Sequence, residues 1–307
     1  MPDAPDTSKH GLRIHAEPNC FLLSLGARFK TLAPFPNMAG SSKRIVIKLG
    51  SGILANPKGT ALEAKQFKRL AREVAALVAS GREIILVSSG AVAAGLGAFG
   101  LKERADDLAT KQACAAIGQS KLMQMYGRMF EEHGLAVAQL LLTYRDLDSR
   151  VSYANAQNTI RRLLEQRRVI PIINENDSVA VDELRFGDND KLSAEVAILA
   201  GADTLILLTS VDGLLDERGR TVPVVEDVED VARLARQEKG KFSVGGMISK
   251  LQAVKLAVSS GIRTHIASGR KPGQIARIVA GHAVGTRFVA KGEELGKRRR
   301  DTKRSRK

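Results

Sequence analysis

From residue 43 onward, short runs of apolar residues alternate with longer segments in which apolar residues recur at every third or fourth position. Short apolar runs bounded by turn residues are typical of buried strands, and the second pattern is typical of amphipathic helices. The pattern predicts strands over residues 44–49, 83–87, 136–141, 169–173, 204–208 and 263–266. It predicts helices over residues 62–79, 107–132, 150–166, 192–200, 247–260 and 273–279.

The order of these elements predicts an α/β fold. Short, continuously apolar strands that alternate with helices indicate a mostly parallel sheet whose two faces are both covered. Apolar side chains at helical spacing over residues 107–132 favour a stripe that faces the core or another subunit over a cofactor site. Residues 1–42 show no steady period, so we expect a poorly ordered N-terminal extension there.

Composition narrows the functional class. A chain of 307 residues can bury a full core, and no apolar run approaches the length that spans a bilayer. Cys20 and Cys114 are the only cysteines, which is too few for a disulfide framework and fits a reducing cytoplasm. We therefore expect a cytoplasmic protein with no membrane partner.

The formal net charge of +15 suggests a nucleic-acid partner, so the distribution of charge along the chain matters. From residue 297 onward, eight basic residues and one acidic residue give the C-terminus a net charge of +7. Nearly half of the excess positive charge therefore lies in a terminal run of basic residues. Such a run is most often a disordered arm. The rest of the chain is only mildly basic, and we do not expect nucleic-acid binding as the main function.

Small and polar residues follow several of the predicted strands directly. Lys48 precedes a Gly-Ser-Gly turn, Ser89 follows the strand over 83–87, and Thr209 follows the strand over 204–208. A buried lysine needs an anionic partner, and small-residue turns let backbone amides, such as those of Gly50 and Gly90, approach a phosphate. Taken alone, each motif is also compatible with a strand-end lysine that reaches solvent or with an ordinary glycine turn.

Two further segments, 171–177 (PIINEND) and 186–191 (FGDNDK), carry clusters of carboxylates and amides. Turns that cap a strand and a helix are the structural alternative. In an open α/β sheet, however, ligands bind outside the carboxyl ends of the strands. Six residues fall at such strand ends or at the helix starts that follow, which predicts a binding site along one edge of one sheet. These residues are Lys48, Ser89, Asp177, Asp190, Thr209 and Lys250.

Two common nucleotide-binding motifs do not explain this site. The chain has no GxxxxGK[ST] sequence, and its GxGxxG string at residues 95–100 does not stand directly at a predicted strand-to-helix turn. We attribute that string to chance. No spacing of histidines and cysteines suggests a zinc site, and we predict no metal-ligating residues.

Six strings, in matching order, resemble the glutamate 5-kinases of the amino acid kinase family. They are IVIKLGSG, SSGAVAAG, IINENDSVAVDE, FGDNDKLSAEVAILAGAD, LLTSVDGL and GGMISKLQAVKLAVSSGI. The INEND and GDND pair is the specific part, because it separates these enzymes from relatives that phosphorylate aspartate, acetylglutamate, carbamate or UMP. The resemblance covers an amino acid kinase domain over residues 43–291 and implies a three-layer αβα sandwich with a mostly parallel central sheet.

The resemblance implies ATP-dependent phosphorylation of the side-chain carboxylate of L-glutamate to L-glutamyl 5-phosphate, with Mg²⁺, as the first step of proline biosynthesis. Lys48 and Lys250 would neutralise the transferring phosphoryl group, and Asp190 would hold these two lysines in place. The implied glutamate-binding residues are Ser89, Asp177, Asn189, Asn174 and Asp188. The implied ATP-binding residues are Lys48, Thr209, Ser210, Gly245, Gly246, Met247 and Lys250. Asp177 suits the ammonium of glutamate, and the asparagines suit its α-carboxylate as donors.

The resemblance also implies a homo-oligomer and feedback inhibition by proline. Ser210 departs from the family pattern, which usually has Asp after the Thr, and a basic tail over residues 292–307 stands where many members carry a PUA domain. Three alternatives stay open from the sequence. They are a family member with another acceptor, a nucleic-acid-binding or regulatory protein that uses the tail, and a kinase-fold sensor without activity.

Overall fold

The computed structural model describes residues 43–101, 103, 107–180, 189–231 and 246–293. The strands in these ranges are β1 (Arg44–Leu49), β2 (Glu83–Val87), β3 (Ala136–Leu142), β4 (Val169–Glu175), β5 (Thr204–Thr209), β6 (Val224–Val225), β7 (Arg263–Ser268) and β8 (Thr286–Phe288). The helices are α1 (Ser51–Leu54), α2 (Ala64–Ala79), α3 (Ala91–Leu96), α4 (Leu108–Glu131), α5 (Tyr144–Asp148), α6 (Arg150–Glu165), α7 (Asp190–Leu199), α8 (Gly246–Ser259) and α9 (Gln274–Val279), with a 3-10 turn at Gly97–Phe99.

These strands form an eight-stranded sheet in the order β3-β4-β2-β1-β5-β7-β8-β6. Neighbouring strands run parallel except β7 and β8, so the prediction of a mostly parallel sheet is confirmed. β1 lies between β2 and β5, where the strand order changes direction. Parallel sheets typically bind ligands at such a switch point, outside the carboxyl ends of the strands.

The alternation of side chains along β1 divides the core into two layers. Ile45 and Ile47 pack in one apolar cluster with residues of α2, α4 and α9. Val46 packs in a second cluster with residues of α6, α7 and α8. The three-layer αβα sandwich is therefore confirmed. Because successive side chains of a strand point to opposite faces, Lys48 lies on the same face as Val46, toward α7 and α8.

Two differences from the predicted element bounds affect the site. β4 continues to Glu175, beyond the predicted end at residue 173, because Asn174 and Glu175 pair with Leu141 and Leu142 of β3. α7 begins at Asp190 rather than at residue 192, which puts a carboxylate in the first turn, where the helix dipole favours negative charge. The elements α1, α3, α5, β6 and β8 were not predicted, since each is too short to show a period.

The backbones of α3 and α4 meet at two glycines. A Cβ atom on Gly118 would lie 1.8 Å from the carbonyl oxygen of Ala91, and one on Gly95 would lie 1.9 Å from that of Cys114. Both helices contribute buried side chains to the same apolar cluster, so a displacement of either helix would disturb that cluster. Gly95 also opens the GxGxxG string, which lies in α3 and the 3-10 turn rather than at a strand-to-helix turn. Its first glycine therefore has a packing role.

We expect Gly118→Ala to lower the free energy of unfolding by about 3 kcal/mol, because the added methyl group overlaps the backbone of α3. Gly127→Ala is the matched control in the same helix, since its nearest neighbour would be 4.0 Å away. The control variant should be unchanged or more stable by up to about 1 kcal/mol, because alanine is the better helix former. Urea denaturation of both variants measures the difference, and equal effects would contradict the close crossing.

Candidate active site

Three charged side chains from β1, α7 and α8 meet at the carboxyl end of β1. Lys48 Nζ lies 2.6 Å from Asp190 Oδ1, and Lys250 Nζ lies 2.8 Å from Asp190 Oδ2. Asp190 is fully buried, and the two lysines are 3% and 9% exposed. One buried carboxylate therefore bridges two ammonium groups that are far apart in the sequence.

The charge balance of this triad favours an anionic ligand. Two ammonium groups and one carboxylate carry a formal charge of +1, held where little water screens it. The ammonium of Lys250 also donates to the carbonyl oxygen of Gly246 at 3.0 Å, and the hydroxyl of Ser249 lies 3.4 Å from Asp190 Oδ2. Lys250 is the fifth residue of α8, and its side chain points back toward the helix N-terminus, as long side chains on helices do.

A cluster of buried amides lies next to the triad. Asn189 Nδ2 donates to the carbonyl oxygen of Ser88 at 2.6 Å and to Asn174 Oδ1 at 2.8 Å. These bonds join the start of α7 to the ends of β2 and β4. Ser89 follows Ser88 and is also buried. Two of the predicted glutamate-binding residues, Asn189 and Asn174, are therefore in direct contact, and Asn189 is the neighbour of Asp190 in the chain.

Tyr126 of α4 supports this cluster from the other face of the sheet. Its hydroxyl lies 2.9 Å from Ser88 Oγ, and its ring packs edge-on against Phe67. Burial raises the pKa of the Tyr126 phenol well above its ordinary value, and the hydrogen bond to Ser88 offsets only part of that increase. The phenol therefore stays protonated and holds the end of β2 in place.

Apart from Lys48 on β1, the predicted nucleotide-binding residues that the structure describes lie at the end of β5 and at the start of α8. Thr209 ends β5 and is buried, and its carbonyl oxygen accepts a hydrogen bond from the Gly269 amide at 2.8 Å. Ser210 follows it and is exposed, while Gly246 and Met247 open α8 and are half-buried. The Gly50 amide donates to the Leu208 carbonyl oxygen at 3.3 Å, so it holds the turn after β1 against β5.

The remaining predicted residues lie in the turn after β4 or outside the described residues. Asp177 is half-buried in the turn after β4. Asp188 and Gly245 lie outside the described residues, as do the predicted N-terminal extension over 1–42 and the tail from residue 294 onward. Ser88 and Tyr126 were not predicted, because a serine carbonyl and a tyrosine in an apolar stripe carry no signal that separates them from packing residues.

Among the described residues, no three or more His, Cys, Asp or Glu side chains converge as they would around a metal ion. Within the same part of the chain, no helix is both long enough and apolar enough to cross a membrane.

Comparison with known proteins identifies the family. The family model described as "Amino acid kinase family" matches residues 43–268. This chain belongs to the amino acid kinase family. Among the relatives of this amino acid kinase, the glutamate 5-kinase of Thermus thermophilus is 48% identical over 264 residues, covering 84% of this chain and 70% of the relative. The glutamate 5-kinase of Dehalococcoides mccartyi is 46% identical over 257 residues, covering 80% of this chain and 68% of the relative.

Solved structures of two other kinases share the fold of this amino acid kinase. A UMP kinase from Bacillus anthracis has a TM-score of 0.55 and 18% identity, covering 81% of this chain and 96% of the other. A carbamate kinase from Giardia has a TM-score of 0.57 and 18% identity, covering 81% of this chain and 99% of the other. Identities this low show a common fold, whereas the identities above 40% place the chain among closer relatives.

We expect Asp190→Asn to lower the free energy of unfolding by about 3–5 kcal/mol, because two buried ammonium groups lose their shared counter-charge. Glu229→Gln is the matched control. It also removes the carboxylate of an ion pair, between Glu229 and Lys255, but both side chains of this pair are more than half exposed. The control should cost less than about 1 kcal/mol. Denaturant titration at neutral pH compares them, and an Asp190→Asn protein as stable as the control would contradict the shared-carboxylate interpretation.

Proposed function

We propose that this amino acid kinase transfers the γ-phosphoryl group of ATP to the side-chain carboxylate of L-glutamate, which forms L-glutamyl 5-phosphate and ADP. The observation that carries the proposal is the buried Lys48–Asp190–Lys250 triad at the carboxyl end of β1. The two relatives at 48% and 46% identity are glutamate 5-kinases, which supports glutamate as the acceptor. Membership of a kinase family supports ATP as the donor.

The reaction needs little covalent chemistry from the protein. A carboxylate oxygen of glutamate forms a bond to the γ-phosphorus, and the bond from that phosphorus to the bridging oxygen breaks, so that ADP leaves with the electron pair. Because both reactants are anions, catalysis consists mainly of positioning them and neutralising charge. Two ammonium groups at a fixed separation supply that positive charge, and Asp190 keeps them oriented before the substrates arrive.

We assign the other predicted residues to the glutamate side or to the ATP side of the site according to the strand end or helix start on which each one lies. Ser89, Asn174 and Asn189, at the ends of β2 and β4 and the start of α7, would form the glutamate side of the site. Asp177 and Asp188 stay predicted members of this group. Thr209, Ser210, Gly246 and Met247, at the end of β5 and the start of α8, would form the ATP side, with Gly245 as a predicted member.

Mg²⁺ would enter with the nucleotide. Magnesium is usually held by substrate phosphates and one or two carboxylates, and both oxygens of Asp190 already contact lysines. The ion would therefore rest mainly on the phosphates of ATP, where it would add positive charge during transfer. Inhibition by proline and assembly into a homo-oligomer stay predictions from the resemblance, and a cytoplasmic location stays a prediction from composition.

The direct test is an acceptor assay. Purified protein with ATP, Mg²⁺ and L-glutamate should release ADP, and added hydroxylamine should trap the acyl phosphate as a hydroxamate. Acetylglutamate, aspartate and carbamate in place of glutamate test the alternative acceptors. ADP release that does not depend on glutamate would refute the proposal, and a stronger response to another acceptor would transfer the proposal to that substrate.

Substitution of the two lysines tests the triad itself. Lys48→Ala and Lys250→Ala should each lower kcat by about 10² or more, since each removes a charge that stabilises the transferring phosphoryl group. Lys255→Ala is the control, because Lys255 stands on the same helix as Lys250 and its side chain is more than half exposed. Its kcat should be unchanged. Near-normal turnover of either triad variant, with folding verified by circular dichroism, would reject the assigned role.

A further inference from the structure

Four side-chain amides form a continuous hydrogen-bonded chain from the start of α7 to the edge of the sheet. Asn189 Nδ2 donates to Asn174 Oδ1 at 2.8 Å, and Asn174 Nδ2 donates to Gln119 Oε1 at 2.8 Å. Gln119 Nε2 then donates to Gln139 Oε1, also at 2.8 Å. Gln119 belongs to α4 and Gln139 to the edge strand β3. The hydrogen-bonded amides therefore connect the buried site with the partly exposed side of the domain.

One backbone carbonyl sets the orientation of every amide in this chain. The carbonyl oxygen of Ser88 can only accept, so Asn189 must turn its Nδ2 toward it. The same Nδ2 meets Asn174, which must therefore present Oδ1 and direct its own Nδ2 toward Gln119. Gln119 must in turn present Oε1. A flipped amide at any position would oppose two donors or two acceptors.

This orientation decides what Asn189 can offer a ligand. Its Nδ2 has two hydrogens, and both are used, one on Ser88 and one on Asn174. Among the described residues, no donor contacts Oδ1 of this side chain, so the atom left for a ligand is Oδ1, which is an acceptor. Asn189 therefore suits the ammonium of an amino acid. The sequence led us to expect instead that it donates to the α-carboxylate.

We infer that Gln119 is a positioning residue for the amino acid substrate, which acts through Asn174 to keep Oδ1 of Asn189 available as an acceptor. The inference rests on the proposed function, because it takes glutamate as the ligand of Asn189. Asn174 is 1% exposed, so loss of its Gln119 partner leaves a buried donor unsatisfied. Asn174 can then recover a bond only by rotating, which releases Asn189 from its fixed orientation.

Three variants test this inference through steady-state kinetics with both substrates. Gln119→Leu removes the acceptor and should raise KM for glutamate about tenfold, while KM for ATP and kcat change less than about threefold. Gln119→Glu keeps an acceptor oxygen toward Asn174 and should leave KM for glutamate within about threefold of the parent value. Gln139→Ala removes only the exposed end of the chain and should stay within about twofold.

Each outcome decides the inference. It fails if Gln119→Leu leaves KM for glutamate unchanged, if Gln119→Glu is as damaging as Gln119→Leu, or if both KM values rise together, as a general loss of structure would cause. Thermal unfolding verifies that the variants fold, and Gln119→Met replaces the leucine variant if that one does not. If the parent protein shows no glutamate-dependent turnover, the proposed function fails and the inference fails with it. If the parent is active and KM for glutamate is unaffected in Gln119→Leu, only the inference is overturned and the proposed function stands.

Discussion

The site depends on one interaction, in which the buried carboxylate of Asp190 pairs with both Lys48 and Lys250. Two ammonium groups inside a protein repel each other strongly, because little water screens them. A shared carboxylate makes their proximity possible, and it requires β1, α7 and α8 to meet at one point. The position of Asp190 in the first turn of α7 contributes further, since the partial positive charge at a helix N-terminus stabilises the carboxylate.

The sheet supplies the rigid frame that brings these groups together. β1 is central, paired with β2 on one side and with β5 on the other, and its side chains alternate between the two helical layers. Lys48 therefore reaches the layer of α7 and α8. The side chains of Ser88 and Asn174 face the opposite layer, toward Tyr126 and Gln119 of α4. Asn189, next to Asp190 in the chain, contacts the ends of β2 and β4 and so connects the Lys48–Asp190–Lys250 triad to the amide cluster.

Most of the regular elements could be predicted from hydrophobic periodicity, and the deviations have physical reasons. Asn174 and Glu175 extend β4 although they are polar, because backbone pairing with β3 continues past the apolar run. α1 and α3 are too short to show a period, and their positions depend on contacts with other elements. The Gly95 and Gly118 crossing was not predicted either, since a glycine in a helix has no visible partner in the sequence.

The sequence by itself determined the fold class, the order of the strands along the chain, the family and the residues that fall at strand ends. These properties are local, because apolar runs, helical periods and short motifs depend on neighbouring residues. Only the tertiary structure decided which polar atoms pair. Asp190 and Lys250 are 60 residues apart, and Ser88 and Asn189 are 101 residues apart. A hydrogen bond needs its two atoms within about 3 Å and correctly aligned, and for residues so distant in the chain only the packing of the layers provides that.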